Sequence, residues 1–167
     1  MEAIQNRVAD SGLVVVDLAI FLPKDEVLGL DIKDFLFHGM VLREREFRES
    51  LRGVDWQPFA GKFVAVYCST DAIVPRWAYM LLVTYLQPIA AGVHAGTPVQ
   101  YREYLALNAI SELCVEPFQD GKVILKGCGD DSLSDALYLA MTIRLLPVVR
   151  SLMYGEPCST VPVFKRK

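Results

Sequence analysis

The chain has 167 residues, and 53% of them are hydrophobic, which excludes general disorder and indicates strands buried on both faces or an apolar interface. A chain of this length normally forms one domain, and its formal net charge of -3 provides no basic surface for nucleic acid. The N-terminus MEAIQNRVADSG lacks the basic and apolar regions of a secretory signal, so we expect a cytoplasmic protein with reduced thiols.

Two apolar segments, VVVDLAIFL and LGLDIKDFLF, make up much of the N-terminal region. Each contains an aspartate followed by hydrophobic residues, at Asp17 and Asp31. Apolar and β-branched residues in short runs predict two strands. We therefore expect residues 1–37 to form a strand extension that widens or caps the main sheet, with Pro23-Lys24-Asp25 as the connection.

An internal repeat occupies the rest of the chain. The segment PFAGKFVAVYC at 58–68 matches PFQDGKVILKGC at 117–128, and YMLLVTYLQP then matches YLAMTIRLLP. A repeat at a fixed period indicates a structural unit that is used more than once. The sequence predicts two units of about sixty residues, 38–95 and 96–167.

Each predicted unit has the same order of elements. A short strand (LFHGMVL or AGVHAG) leads to a helix, an apolar strand (FVAVY or VILKG), a cysteine and a long helix. Continuous apolar strands that alternate with helices are typical of parallel sheets covered on both faces. We expect a single α/β domain with one layered, mainly parallel sheet built from two β-α-β-α repeats. The closing segment PCSTVPVF is predicted to be an edge strand, where prolines are tolerated.

The most apolar stretch, AIVPRWAYMLLVTYLQPIAAGV, is predicted to be a buried helix and not a membrane span. Pro75, Arg76 and Pro88 interrupt it, and the remaining apolar run is well short of the roughly 20 residues that a bilayer requires. We expect Asp71 or Thr70 to cap this helix, because aspartate and threonine are favoured at that position.

The chain has four cysteines, and two of them begin the same CST motif. The repeat gives Cys68 and Cys128 equivalent positions, each at the carboxyl end of a strand and just before a helix. If the two strands are neighbours, their separation of about 4.8 Å brings both sulfur atoms within reach of one ion. Cys158 is expected at the same edge of the sheet. Cys114 shares a predicted helical stripe with Leu107 and is expected in the core.

Three interpretations of these cysteines are open. Soft thiolates from Cys68, Cys128 and Cys158 suit zinc or an iron-sulfur cluster, with Asp71 as a candidate fourth ligand. Free cysteines otherwise pack as small hydrophobic residues, or serve thiol catalysis and redox exchange. The chain has no C-x-x-C motif, so the metal interpretation depends on the predicted fold. Further candidates for the fourth position are His38, His94, Asp131 and Glu156.

Three blocks of the sequence resemble a bacterial family. CSTDAIVPRWAYMLL, the KGC that ends at Cys128, and SLMYGEPCSTVPVFKRK are similar to motifs of domain-of-unknown-function family number twenty-four eighty, and the resemblance runs the whole length. That family has no assigned activity, so the resemblance implies no reaction. It implies a genetic setting beside iron-sulfur assembly genes, which favours a cluster. The segment GDDSLSDAL departs from the family pattern, so the resemblance implies no role for Asp131.

These observations predict a cytoplasmic metal- or iron-sulfur-binding protein that uses Cys68, Cys128 and Cys158 as ligands and acts with iron-sulfur assembly proteins. The alternative is a homodimeric structural or partner-binding module, in which the long apolar helices form the interface and the cysteines pack. Neither hypothesis involves nucleic acid or a membrane. The sequence leaves open whether the protein is an enzyme.

Overall fold

A computed structural model describes residues 12–126, 133–157 and 159–167. The chain divides into two compact units. The continuous unit comprises Lys24–Arg102, and the split unit comprises Met1–Pro23 together with Glu103–Lys167. No helix in the described ranges is both long and apolar enough to span a bilayer.

The described residues form an α/β protein with four α-helices and mostly parallel strands. In chain order the elements are β1 (Leu13–Asp17), β2 (Val27–Asp31), α1 (Glu44–Arg52), β3 (Phe63–Tyr67), α2 (Arg76–Leu86), β4 (Gly92–Ala95), α3 (Pro98–Ser111), β5 (Lys122–Lys126), α4 (Asp135–Leu145), β6 (Ser151–Glu156) and β7 (Ser159–Lys165).

The continuous unit contains a three-stranded parallel sheet in the order β2-β3-β4. The central strand β3 is buried along Val64, Ala65 and Val66, as its continuous apolar sequence predicts. Helix α2 buries Ala78, Leu82 and Leu86, which recur every four residues and so lie on one face of the helix. Strand and helix share one hydrophobic core, which therefore fixes the carboxyl end of β3 next to the start of α2.

The split unit contains a four-stranded sheet in the order β1-β5-β6-β7. The first three strands are parallel, and β7 runs antiparallel to β6. Helix α4 buries Leu137, Met141 and Leu145 in a second core with Val123 and Leu125 of β5. The predicted closing strand is confirmed as β7, which occupies the sheet edge and accommodates Pro162 there.

The expectation of one layered sheet is wrong, because the described strands form two sheets. The two predicted N-terminal strands are present, but they do not extend a common sheet. Strand β1 pairs with β5 in the split unit, whereas β2 pairs with β3 in the continuous unit. The backbone groups of an apolar strand can form hydrogen bonds with any strand that tertiary packing places beside it. The local sequence therefore does not specify the partner strand.

Two local predictions also fail. The segment LFHGMVL forms only an isolated bridge between Phe37 and Val41, because His38 and Gly39 adopt positive φ angles of 50° and 70° that close a tight turn. Helix α2 begins at Arg76, after Pro75, and has no side-chain cap. Asp71 is exposed and lies in the loop well before the helix, so it does not cap it.

Candidate functional site

Cys68 lies at the carboxyl end of the central strand of the continuous unit. It follows β3 directly, and its side chain is half-buried. Its Sγ atom lies 3.4 Å from Oγ1 of Thr70, and because the single Thr70 hydroxyl proton is donated to the Gly39 carbonyl, the thiol is the donor in this hydrogen bond. In open parallel sheets ligands collect outside the carboxyl ends of the strands, so this thiol occupies the edge where a binding site is expected.

Asp31 holds the loop that carries Cys68. Oδ1 of Asp31 accepts hydrogen bonds from the backbone amides of Lys33 at 3.0 Å and Ser69 at 3.1 Å. Burial by itself raises the pKa of Asp31, but the hydrogen bonds from Ser69 and Lys33 and the Lys33 charge outweigh it and lower that pKa. The Thr70 hydroxyl donates to the Gly39 carbonyl at 2.8 Å. The loop is thus held at Ser69 and at Thr70, the two residues that follow Cys68.

A cavity of about 370 Å³ opens beside Cys68. Arg76 and Tyr79 come from the first turns of α2, Ala95 ends β4, and Gly96 follows it. Burial raises the pKa of Tyr79, and negative charge on Cys68 and Asp31 adds to the effect, so its hydroxyl stays protonated at neutral pH. The complete lining is Val66, Tyr67, Cys68, Arg76, Tyr79, Ala95 and Gly96.

Two of the three predicted thiol ligands, Cys128 and Cys158, lie outside the described residues. The premise that the strands before Cys68 and Cys128 are neighbours is wrong, because β3 and β5 belong to different sheets. Asp71 is described and exposed, and it does not line the cavity. Within the described ranges no group of three histidine, cysteine, aspartate or glutamate residues is arranged to hold a metal ion.

The described residues nearest in sequence to Cys128 and Cys158 are strand ends of the split unit. Strands β5 and β6 are parallel neighbours that end at Lys126 and Glu156. Nζ of Lys126 lies 3.9 Å from Oε1 of Glu156, so the carboxyl ends of the two strands lie side by side. The chain therefore leaves the same edge of this sheet at both points, shortly before each cysteine.

Cys114 is not the core residue that its helical stripe predicts. Helix α3 ends at Ser111, so the stripe stops before it reaches this cysteine. Cys114 is exposed, and its Sγ donates a hydrogen bond to Oε2 of Glu116 at 2.9 Å. The hydrogen bond to Glu116 raises the pKa of Cys114, because the carboxylate stabilises the protonated thiol.

The two histidines have local roles in the described structure. His94 lies in β4 and stacks on the ring of Tyr101, with ring centroids 4.9 Å apart. His38 lies in the tight turn, with its ring centroid 4.0 Å from that of Phe37. Sequence reasoning did not single out Asp31 or Arg76 for the site. Asp31 lies within the predicted strand segment LGLDIKDFLF and Arg76 within the predicted buried helix, so neither position signals a binding site.

The split unit has a second concave surface, which is largely apolar. A groove of about 490 Å³ is lined by residues of α4, β5, β6 and β7, among them Leu139 and Val163. The side chain of Leu139 is 64% exposed, that of Ile143 on the same helix is 71% exposed, and that of Val163 is 55% exposed. Large apolar side chains grouped in this way are typical of interaction surfaces.

Comparison with known proteins identifies a family but no activity. A family model described as "Protein of unknown function (DUF2480)" matches residues 2–166. No curated protein matches the chain, and no solved structure matches it.

Proposed function

The chain belongs to the DUF2480 family, and we propose that it is a cytoplasmic metal- or iron-sulfur-binding protein that uses the thiolates of Cys68, Cys128 and Cys158 as ligands. Asp71 is the candidate for a further ligand. Zinc and iron-sulfur clusters are the metals that soft thiolate ligands favour. The proposed partners are iron-sulfur assembly proteins, because the family that the sequence motifs resemble implies a genetic setting beside iron-sulfur assembly genes.

The observation that supports the proposal is that each of these cysteines follows the carboxyl end of a parallel strand in the sequence. Cys68 follows the central strand of one parallel sheet and borders a cavity. Cys128 and Cys158 each follow, in sequence, one of two neighbouring parallel strands whose ends lie side by side. Ligands bind at the carboxyl edges of parallel sheets in open α/β proteins, and thiolates are the side chains that select zinc and iron-sulfur clusters.

Metal analysis of protein purified without oxygen tests the proposal. Wild-type protein should retain zinc or iron, and iron in a cluster should give a visible absorption spectrum. Replacing any one of Cys68, Cys128 and Cys158 with serine should lower metal affinity at least about tenfold, because even groups that only support a metal ligand have effects of that size.

Cys114→Ser is the matched control, because Cys114 is an exposed thiol that bonds to Glu116. This variant should keep the wild-type metal content. Metal-free, colourless wild-type protein that also fails to take up zinc or iron on reconstitution would show that the proposal is wrong. Full metal content in the triple serine variant would lead to the same conclusion.

A second candidate function is a homodimeric or partner-binding module, and the exposed face of α4 favours it. Leu139 and Ile143 are one helical turn apart and are 64% and 71% exposed, on a helix whose other face is fully buried. The groove joins Leu139 to Val163, so the apolar surface extends from the helix to the edge strand. Such a surface could form the centre of an interface that buries about 800 Å² on each partner.

Sedimentation analysis tests the homodimer. Replacing Leu139 and Ile143 with aspartate should dissociate the wild-type dimer, because each carboxylate must be desolvated at the interface. Ile73→Asp is the control, since Ile73 is 91% exposed and lies outside the helices. A monomeric wild-type protein, or a dimer that survives both helix substitutions, would exclude this interface.

We also propose that the two units descend from one duplicated unit. Each has a strand ending in aspartate, Asp17 or Asp31, whose carboxylate accepts the backbone amide two residues on. In each unit that strand pairs in parallel with a central strand, which is followed by a long helix and a further parallel strand. On this proposal the N-terminal strands are parts of the repeated unit.

A further inference from the structure

The cavity of the continuous unit has the dimensions and the position of a small-molecule site. Its volume of about 370 Å³ lies at the lower end of the range for ligand pockets. It opens at the carboxyl ends of β3 and β4, two neighbours in a parallel sheet. Val66 and Ala95 give it apolar walls, which suits an organic ligand with an apolar body.

Two polar groups of the cavity are not engaged elsewhere in the described part of the protein. The Arg76 guanidinium forms no ion pair or hydrogen bond with a described residue, whereas Arg43, Arg45 and Arg48 of the same unit each pair with a glutamate. The Tyr79 hydroxyl also forms no hydrogen bond within the described ranges. The guanidinium and the phenol hydroxyl are both hydrogen-bond donors. The cavity therefore offers two donors that a ligand with a hydrogen-bond acceptor could engage.

The nearby carboxylate does not supply that acceptor. Oδ1 of Asp31 is already bonded to the backbone amides of Lys33 and Ser69. Tyr79 remains a hydrogen-bond donor because its hydroxyl stays protonated at neutral pH. The cavity therefore presents one uncompensated positive charge and one donor beside the Cys68 thiol.

We infer that the cavity binds a small organic carboxylate, whose anionic group contacts Arg76 and Tyr79 and whose apolar part lies against Val66 and Ala95. Arg76 pairs with carboxylates through two parallel hydrogen bonds, which fixes the orientation of the ligand as well as its charge. The bound molecule lies next to Sγ of Cys68, so the thiol reports on its presence. This inference requires no metal and does not rest on the proposed metal function.

Charge-selective alkylation of metal-free protein tests the inference. Iodoacetate and iodoacetamide react with cysteine in the same way: the thiolate sulfur bonds to the CH₂ carbon, iodide leaves with the bonding electron pair, and the thiol proton passes to the buffer. Only iodoacetate carries a carboxylate. The rate ratio of the two reagents, measured for each cysteine-containing peptide by mass spectrometry, should be higher at Cys68 than at Cys114.

Arg76→Gln should lower the iodoacetate-to-iodoacetamide ratio at Cys68 about fivefold, the size expected for loss of one close charge in a largely aqueous setting. Arg76→Lys should restore most of it. Arg45→Gln is the matched control, because Arg45 lies in the same unit with an 87% exposed side chain. The ratio at Cys114 should be unchanged in all three variants.

Protection by an unreactive ligand provides an independent measurement. Butyrate should slow the reaction of iodoacetamide with Cys68 in a saturable manner, and the isosteric neutral molecule butyramide should not. An unchanged ratio in Arg76→Gln, or equal protection by butyrate and butyramide, would overturn the inference. Because metal has been removed, neither result bears on the proposed metal function, which is measured by metal content.

Discussion

Removal of the Asp31 carboxylate should loosen the loop that carries Cys68 and destabilise the continuous unit. In wild-type protein Oδ1 of Asp31 accepts two backbone hydrogen bonds, from Lys33 at 3.0 Å and from Ser69 at 3.1 Å. Hydrogen bonds to charged groups contribute about 1.5–3 kcal/mol when buried, and we take about 1 kcal/mol each here because both are exposed to solvent. Asp31→Ala should therefore cost about 2 kcal/mol of unfolding free energy.

Asp17→Ala is the matched control, because Asp17 also ends a parallel strand, β1 of the split unit, but accepts only one backbone amide, from Ala19 at 3.0 Å. It should cost about 1 kcal/mol, because Asp17 caps the short 3-10 helix Leu18–Phe21 and the loss of an aspartate cap usually costs about that much. Urea unfolding followed by circular dichroism measures both free energies. Asp31 also accepts the amide of Ser69, the residue after Cys68, so its removal should make Cys68 more accessible. Asp31→Ala should therefore raise the alkylation rate of Cys68, and Asp17→Ala should not.

The stabilisation from Asp31 should also depend on pH. The pKa of Asp31 is lower in the folded protein than in the unfolded chain, so its contribution is fully present above the unfolded pKa of about 3.9. The contribution is lost as the pH falls through the lower, folded pKa. The stability difference between wild type and Asp31→Ala should thus be constant from neutral pH down to about pH 5 and shrink below pH 4. A cost for Asp31→Ala no larger than that for Asp17→Ala would refute this account of the loop.

Further predictions concern the core and the exposed thiol. Leu82→Ala should cost about 2–5 kcal/mol, because Leu82 is fully buried on α2, whereas Met80→Ala on the same helix, 69% exposed, should cost under about 0.5 kcal/mol in the same urea titration. Equal costs would mean that the assigned buried face of α2 is wrong. Glu116→Ala should lower the pKa of Cys114 toward its ordinary value, since it removes the hydrogen bond that raises that pKa, and should speed alkylation of Cys114 at mildly alkaline pH. An unchanged rate would show that this hydrogen bond does not control the thiol.

Local sequence patterns predict part of the candidate site but not all of it. The sequence predicts that Cys68 follows an inner strand, because FVAVY is continuously apolar and a helix pattern begins soon after it. It does not predict the contact between Asp31 and Ser69, which joins residues 38 positions apart. Nor does it predict that Arg76 and Tyr79 line a cavity with Cys68, since their exposure depends on how α2 is rotated against β3. The failed prediction for Cys114 has a simpler cause, because α3 ends three residues earlier than the apolar stripe indicates.

The amino-acid sequence by itself determined the α/β class, the inner strands, the long helices and the edge strand with its proline, Pro162. Each of these follows from short-range properties: apolar runs, helical spacing of buried residues, and the lack of an amide proton in proline. Tertiary structure alone decided that β1 pairs with β5 and β2 with β3, and therefore that there are two sheets. Backbone hydrogen bonds between parallel strands are the same for any pair of apolar strands. The choice of partner depends on which helices and strands bury the most apolar surface together, and that sum is a property of the whole chain.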